Sequence, residues 1–144
     1  MEETANTGYA ELLTLKAAND NLRERGRQSL TESIERLAAE MAAELGVPVN
    51  DPAVQGSLLI ARKDWQFEVK RQTMVGERLG VRLRERTLVI ETGWPRLPEH
   101  GYVPNQGLAR GRVSFSPNVM IDPLLIDELI LKRQPNSDPV WHVI

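Results

Sequence analysis

Apolar residues in the first third of the chain recur at the spacing of an α-helix. Over residues 30–45 they lie three or four positions apart, which places them on one face of a helix. Ser29 and Glu32 form a capping box, and Gly46 and Pro48 mark the end of the element. We therefore predict a helix over 30–45 whose apolar stripe faces the sheet or a partner chain. The stripe comprises Leu30, Ile34, Leu37, Ala38, Met41 and Leu45.

A second apolar series, over about residues 9–25, predicts another helix that breaks near Gly26. The two helices would form an antiparallel hairpin or one kinked arm. Residues 1–8 precede this pattern, and we expect them to be flexible. Residues 9–50 would then form a helical layer.

Alternation with a period of two replaces the helical spacing from residue 57 onward. Residues 65–70, 79–86 and 110–115 alternate apolar and polar side chains, as half-buried strands do. The short apolar run at 88–90 suits a central strand. These segments predict a sheet-rich part over residues 57–144.

The chain closes on a different pattern. Asp122-Pro123 is typical of an N-cap followed by proline at the first helical position, and the residues up to about Lys132 are apolar nearly all round. This predicts a buried C-terminal helix, followed by a terminal strand in "PVWHVI". Helices, then strands, then a helix and a strand indicate an α+β fold with a mainly antiparallel sheet, and 9–144 fits one domain.

Charge is distributed unevenly along the 144 residues. Residues 1–61 carry five Lys/Arg against ten Asp/Glu, residues 62–112 carry eleven against six, and residues 113–144 carry two against four. The acidic front and the basic middle either attract each other within the fold or leave an anion-facing surface. The chain has no cysteine and no apolar run near the roughly 20 residues of a membrane span, so we expect a cytoplasmic protein without disulfides or membrane contact.

Familiar catalytic motifs are missing from the sequence. It contains no nucleophile elbow, phosphate-binding loop or dinucleotide fingerprint, and its two histidines do not form a metal-binding pattern. We therefore predict neither a metal nor a cofactor. Glu99-His100 is the one adjacent acid–imidazole pair, which would suit acid–base catalysis. A loop histidine that caps or packs explains the same pair.

Arginine supplies the more distinctive signal. Arg82, Arg84 and Arg86 lie two residues apart, so one strand would present all three guanidinium groups on one face. Arg110 and Arg112 repeat the spacing, and together these side chains would suit carboxylate or phosphate. The alternative is a solvated face whose arginines pair with Glu68, Glu85 and Glu91.

A long proline-rich connection joins the two arginine-bearing segments. Residues 93–109 carry aromatic anchors and three prolines, which predicts a rigid loop rather than a disordered one. We expect Trp94 and Tyr102 to anchor it, with Arg96 and His100 accessible. A cover over a sheet edge, or a dimer arm, would explain the loop equally well.

These features favour a small non-enzymatic binding or adaptor domain, dimeric through its helices. Its ligand would be a protein segment or an anionic group held by Trp94, Arg96, His100 and Tyr102 together with Arg82, Arg84, Arg110 and Arg112. A second interpretation is single-stranded nucleic acid on the same arginine and aromatic face, against which the net acidity counts. A third is an enzyme that uses His100 and Glu99.

Overall fold

One long helix and a six-stranded antiparallel sheet make up the structure, a computed structural model that describes residues 2–96, 109–118, 120–134 and 137–144. The predicted α+β class is confirmed. The strands pair in the order β1-β2-β3-β4-β5-β6, so each strand lies beside its neighbour in sequence. The elements are α1 (Glu2–Leu45), β1 (Leu58–Val69), β2 (Gln72–Leu83), β3 (Arg86–Pro95), β4 (Ala109–Ser116), β5 (Leu124–Gln134) and β6 (Ser137–Val143).

The helix α1 runs without interruption through Gly26, so the predicted break and the helical hairpin are wrong. Gly26 is buried because α1 contacts the sheet there. A Cβ at this position would lie 2.5 Å from a methyl group of Leu131 in β5. The indole Nε1 of Trp141 in β6 also donates a hydrogen bond to the carbonyl oxygen of Gly26 at 2.9 Å. The glycine therefore permits close approach rather than a turn.

The face of α1 that contacts the sheet includes only part of the predicted apolar stripe. Small side chains occupy the contact at the carboxyl end, where Ala38 and Ala42 pack on Leu58 of β1. Leu37 and Met41 remain about half exposed, so they do not face the sheet. That they face a partner chain stays a prediction. Small residues let the two backbones approach closely, and the larger ones lie beside the contact. The buried positions along α1 are Asn19, Arg23, Gly26, Thr31, Ala38 and Ala42.

The predicted end of the helix is confirmed in detail. Gly46 has a φ of 70°, in the left-handed region that glycine favours. The amide of Val47 donates to the carbonyl oxygen of Ala42 at 2.9 Å, and its side chain packs against the Leu58 cluster. Ser29 and Glu32, by contrast, lie within the helix and cap nothing at its start.

Two tight hairpins fix the register of the first three strands. The β1–β2 turn consists of Lys70 and Arg71, both with positive φ, as a two-residue type I′ turn requires. The β2–β3 turn consists of Arg84, with a φ of 56°, and Glu85. Arg84 is therefore a turn residue and not a strand residue.

This turn overturns the predicted shared face for Arg82, Arg84 and Arg86. Residues paired across antiparallel strands lie on the same face of the sheet. Arg82 pairs with Thr87, and Leu83 pairs with Arg86, so Arg82 and Arg86 point to opposite faces. The period-two argument fails because the strand ends between them.

The predicted C-terminal helix is also wrong, since residues 124–134 form the strand β5. A continuous apolar run carries no period, so it fits a buried helix and a strand equally. The β4–β5 register contains a bulge at Val113 and Ser114, and β5 lies between β4 and β6. The terminal strand predicted in "PVWHVI" is present as part of β6.

Ion pairs join α1 to the sheet at its centre. The guanidinium of Arg27 bonds Glu24 on the helix and Glu77 on β2, the latter at 2.8 Å. Arg62 on β1 lies 3.2 Å from Glu77 and 3.8 Å from Glu35. The hydrogen bond from Arg27 lowers the pKa of the Glu24 carboxyl, and the same bond raises the pKa of Arg27.

Candidate functional site

The register divides the charged side chains between two faces of the sheet. The helix-side face, which α1 covers, carries Leu58, Leu79 and Glu77; the opposite side, here called the open face, carries Trp65, Arg78 and Arg112. Over the described strand positions from Leu58 to Lys132, cations prevail on the open face and acids on the helix-side face. The open face holds Lys63, Arg78, Arg82, Arg110, Arg112 and Lys132 against Glu91 and Glu128; the helix-side face holds Arg62 and Arg86 against Asp64, Glu68, Glu77 and Asp127.

Trp65 lies on β1, an edge strand, and its side chain reaches across the open face toward β3. Its indole Nε1 donates a hydrogen bond to the carboxylate of Glu91 on β3. The ammonium of Lys63 and the guanidinium of Arg78 each lie 4.7 Å from the centre of its rings. These contacts are close enough for cation–π attraction, which fixes the indole across β2.

A row of three charges crosses the sheet beside this tryptophan. Arg78, Glu91 and Arg112 are paired in register on β2, β3 and β4. The guanidinium of Arg112 lies 5.1 Å from the centre of the Phe67 ring. Its Nε is buried, and no hydrogen-bond acceptor reaches it among the described residues. Within the same part of the chain, neither arginine forms an ion pair with a carboxylate.

These side chains line a cavity of about 300 Å³. One wall is cationic, from Arg78 and Arg112, and Glu91 lies between them. The remaining lining is apolar or hydroxylic: Trp65, Val89, Ser114, Pro123 and Leu125. The cavity therefore combines unpaired guanidinium donors with an apolar surface.

Two glycines permit close contacts on the open face, one with the backbone of β3 and one with the Phe67 ring. Gly76 and Gly93 are paired across β2 and β3 on the open face, between Trp65 and Arg110. A Cβ at Gly93 would lie 3.1 Å from the Phe67 ring, and one at Gly76 would overlap the carbonyl oxygen of Thr92. Side chains larger than hydrogen would displace the rings and strain the backbone.

The structure brings only some of the predicted ligand-binding residues together. Arg110 and Arg112 lie on the open face near the cavity, and Arg112 lines it. Arg82 shares the face but lies toward the β2–β3 turn, where its Nε donates to the carbonyl oxygen of Arg84 at 2.8 Å. The predicted pairing of the arginines with Glu68, Glu85 or Glu91 is not observed among the described residues.

Trp94 and Arg96 lie elsewhere. Trp94 is on β3, so the strand continues two residues past the predicted start of the loop, to Pro95. It faces α1 and lines a separate cavity of about 650 Å³ with Glu24, Arg27 and Glu77. Arg96 follows β3 with an exposed side chain, and its amide donates to the carbonyl oxygen of Thr73 at 2.9 Å.

The remaining predicted residues, Glu99, His100 and Tyr102, lie outside the described residues. Their assignment stays a prediction. Sequence reasoning missed Arg78 and gave Glu91 only a pairing role. The signal was available, because two-residue turns at 70–71 and 84–85 would have placed Arg78 opposite Glu91.

Within the described ranges, no group of His, Asp and Glu side chains is arranged to hold a metal ion. The described part of α1 is too polar to cross a membrane. No family model, curated protein or solved structure matches this chain significantly.

Proposed function

We propose that the chain is a binding domain that takes an acidic segment of a partner protein on its open face. A carboxylate of the partner would lie between Arg78 and Arg112, and adjacent apolar side chains would contact Leu125 and Pro123. We also propose, from the composition, that this binding takes place in the cytoplasm.

The buried Nε of Arg112 is the observation that carries this proposal. A buried donor without an acceptor costs free energy, because it has lost water and gained nothing in return. An incoming carboxylate would offer acceptors to the part of the guanidinium that lines the cavity, and arginine presents its N–H groups in a planar fork that matches two carboxylate oxygens. Phe67 and Trp65 hold the two guanidinium groups by cation–π contacts, which reduces the side-chain entropy that binding would cost.

The open face suits an acidic protein segment better than single-stranded nucleic acid. Nucleic-acid binding of this kind stacks bases on free aromatic rings. The rings of Trp65 and Phe67 already contact Lys63, Arg78 and Arg112. Glu91 would repel any anion that lies between the two arginines, and a nucleic-acid chain would bring several phosphates near it, whereas an acidic segment would bring a single carboxylate flanked by apolar residues.

Fluorescence anisotropy with a labelled peptide of alternating Glu and Leu tests the proposal. The wild-type protein should bind it, and Arg112→Gln should weaken binding by roughly 10- to 100-fold, the equivalent of about 1.5–3 kcal/mol for a charged hydrogen bond. Lys70→Asn is the matched control: it removes one positive charge at an exposed turn, with a residue that tolerates the positive φ there.

Three comparisons decide the outcome. Equal losses in Arg112→Gln and Lys70→Asn would indicate general charge attraction rather than this cavity. Binding of the matching Lys–Leu peptide with similar affinity would contradict carboxylate recognition. Tighter binding of a labelled oligouridine, weakened by Trp65→Leu, would favour the nucleic-acid interpretation instead.

A further inference from the structure

A second concave surface lies at the carboxyl end of α1, away from the open face. We call it the terminal groove: a space of about 1040 Å³ between the last turns of the helix and the β2–β3 turn. Its floor is apolar, and Met41 and Leu45 are 49% and 57% exposed there. The side formed by the turn has a net positive charge, because it carries Arg84 and Arg86 against Glu85. The remaining lining residues are Val47, Gln55, Gly56, Leu83 and Pro117.

Near the opposite end of α1, the apolar side chains that the structure describes are exposed. Tyr9, Leu12 and Leu13 are 65%, 47% and 43% exposed, and a Cβ at Gly8 would meet nothing within 4 Å. Residues 1–15 contain three Glu and no Lys or Arg. An isolated helical segment of this length is marginally stable in water, so it needs a surface to pack against.

The two surfaces complement each other in both polarity and charge. The amino-terminal part of α1 is apolar and acidic, whereas the terminal groove is apolar with a net basic rim. They cannot meet within one molecule. Both lie on a single uninterrupted helix, and the 29 residues from Leu12 to Met41 separate them by about 43 Å at 1.5 Å per residue.

We propose that the Tyr9–Leu13 segment of one copy lies in the terminal groove of a second copy, and that the exchange is reciprocal. Leu12 and Leu13 would cover Met41 and Leu45, and Glu11 would face the basic rim. Two such junctions close a dimer with twofold symmetry. Each chain would then bury the apolar part of α1 that its own sheet leaves exposed.

Sedimentation velocity of the full-length chain tests this arrangement. One variant, Leu12→Lys with Leu13→Lys, alters the helix segment; another, Met41→Lys with Leu45→Lys, alters the groove. Lysine keeps a high helix propensity, so circular dichroism should show an unchanged helix content. Val140→Lys is the control, since Val140 on β6 has a similar exposure of 44% and lies outside both surfaces.

We expect the wild type and Val140→Lys to be dimers and each double variant to be a monomer. A mixture of the two double variants should associate again, more weakly than wild type, because one intact helix segment meets one intact groove. A wild type that stays monomeric up to about 100 μM, a weak affinity for two proteins, would overturn the proposal. So would a dimer that survives the groove variant, or a mixture that fails to associate, because either result indicates a symmetric helix–helix contact.

Discussion

Replacing Gly26 by alanine tests the contact between the helix α1 and the strand β5. Two effects oppose each other. Alanine in a helix interior is more stable than glycine by about 0.5–1 kcal/mol, because glycine loses more backbone entropy on folding. The new methyl group would, however, lie 2.5 and 2.8 Å from the two terminal methyl groups of Leu131, which is fully buried.

The cost of overpacking is the larger of the two effects, so we expect Gly26→Ala to destabilise the fold. Inserting a methyl group into a filled core costs about 1–3 kcal/mol. Subtracting the helix propensity leaves a net destabilisation of about 1 kcal/mol for Gly26→Ala, because the Leu131 side chain is fully buried. Gly8→Ala on the same helix, where nothing lies within 4 Å, is the control and should be neutral or stabilising.

Urea unfolding followed by circular dichroism measures both variants, and a double-mutant cycle isolates the contact. Leu131→Ala alone should cost about 2–5 kcal/mol, since it leaves a cavity in the core. In that background the clash is gone, so Gly26→Ala should become stabilising by about 0.5–1 kcal/mol. Additive free energies of unfolding, or a stabilising Gly26→Ala in the wild type, would refute the close approach of α1 to β5.

Three further outcomes follow from described contacts. Gly76→Ala should destabilise the fold by about 3 kcal/mol or more, because its methyl group would overlap the backbone oxygen of Thr92. Gly80→Ala on the same strand is the control: its Cβ would meet nothing within 4 Å, so this variant should be neutral or stabilising. Thermal unfolding measures both variants. Leu37→Ala should change the free energy of unfolding by less than about 0.5 kcal/mol, since half of this side chain is exposed; a loss above 2 kcal/mol would show that it is packed. Because Arg27 lowers the pKa of Glu24, the pair stabilises the fold above the ordinary glutamate pKa and loses this contribution as the pH falls through the lowered value. Glu24→Gln should therefore lower the stability by at most about 1 kcal/mol at pH 7 and by nothing at strongly acid pH, and an equal loss at both would contradict the ion pair.

Local sequence signals predicted the elements whose cause is local. The alternation of β1 and the glycine cap at the end of α1 depend on a few adjacent residues, and both predictions are confirmed. The path of α1 through Gly26 depends on Leu131, a residue from the other end of the chain. No pattern around Gly26 reveals that neighbour, so a glycine needed for close approach resembled a helix break.

In the candidate site, too, local patterns predicted some residues, and contacts between distant parts of the chain decided the others. Arg112 was predicted because its own strand alternates, and it lines the cavity. Trp94 lies away from Arg112, because β3 continues through that residue and carries it to the helix-side face. Arg78 becomes visible only when the lengths of both hairpin turns are known, since a shift of one residue would reverse its face.

The order of the strands also sets a sequence of events in folding. Each strand pairs with its neighbour along the chain, so the sheet can form by successive hairpins, of which the first two close loops of two residues each. Docking the centre of α1 is different, because the hydrogen bond between Trp141 and Gly26 joins residues 115 positions apart, whereas the contact of Ala42 with Leu58 is close in sequence. The entropy of closing that loop is recovered only when β5 and β6 are in place. Docking of the helix should then follow the transition state, so substitutions at Gly26 or Leu131 should accelerate unfolding and leave the folding rate nearly unchanged.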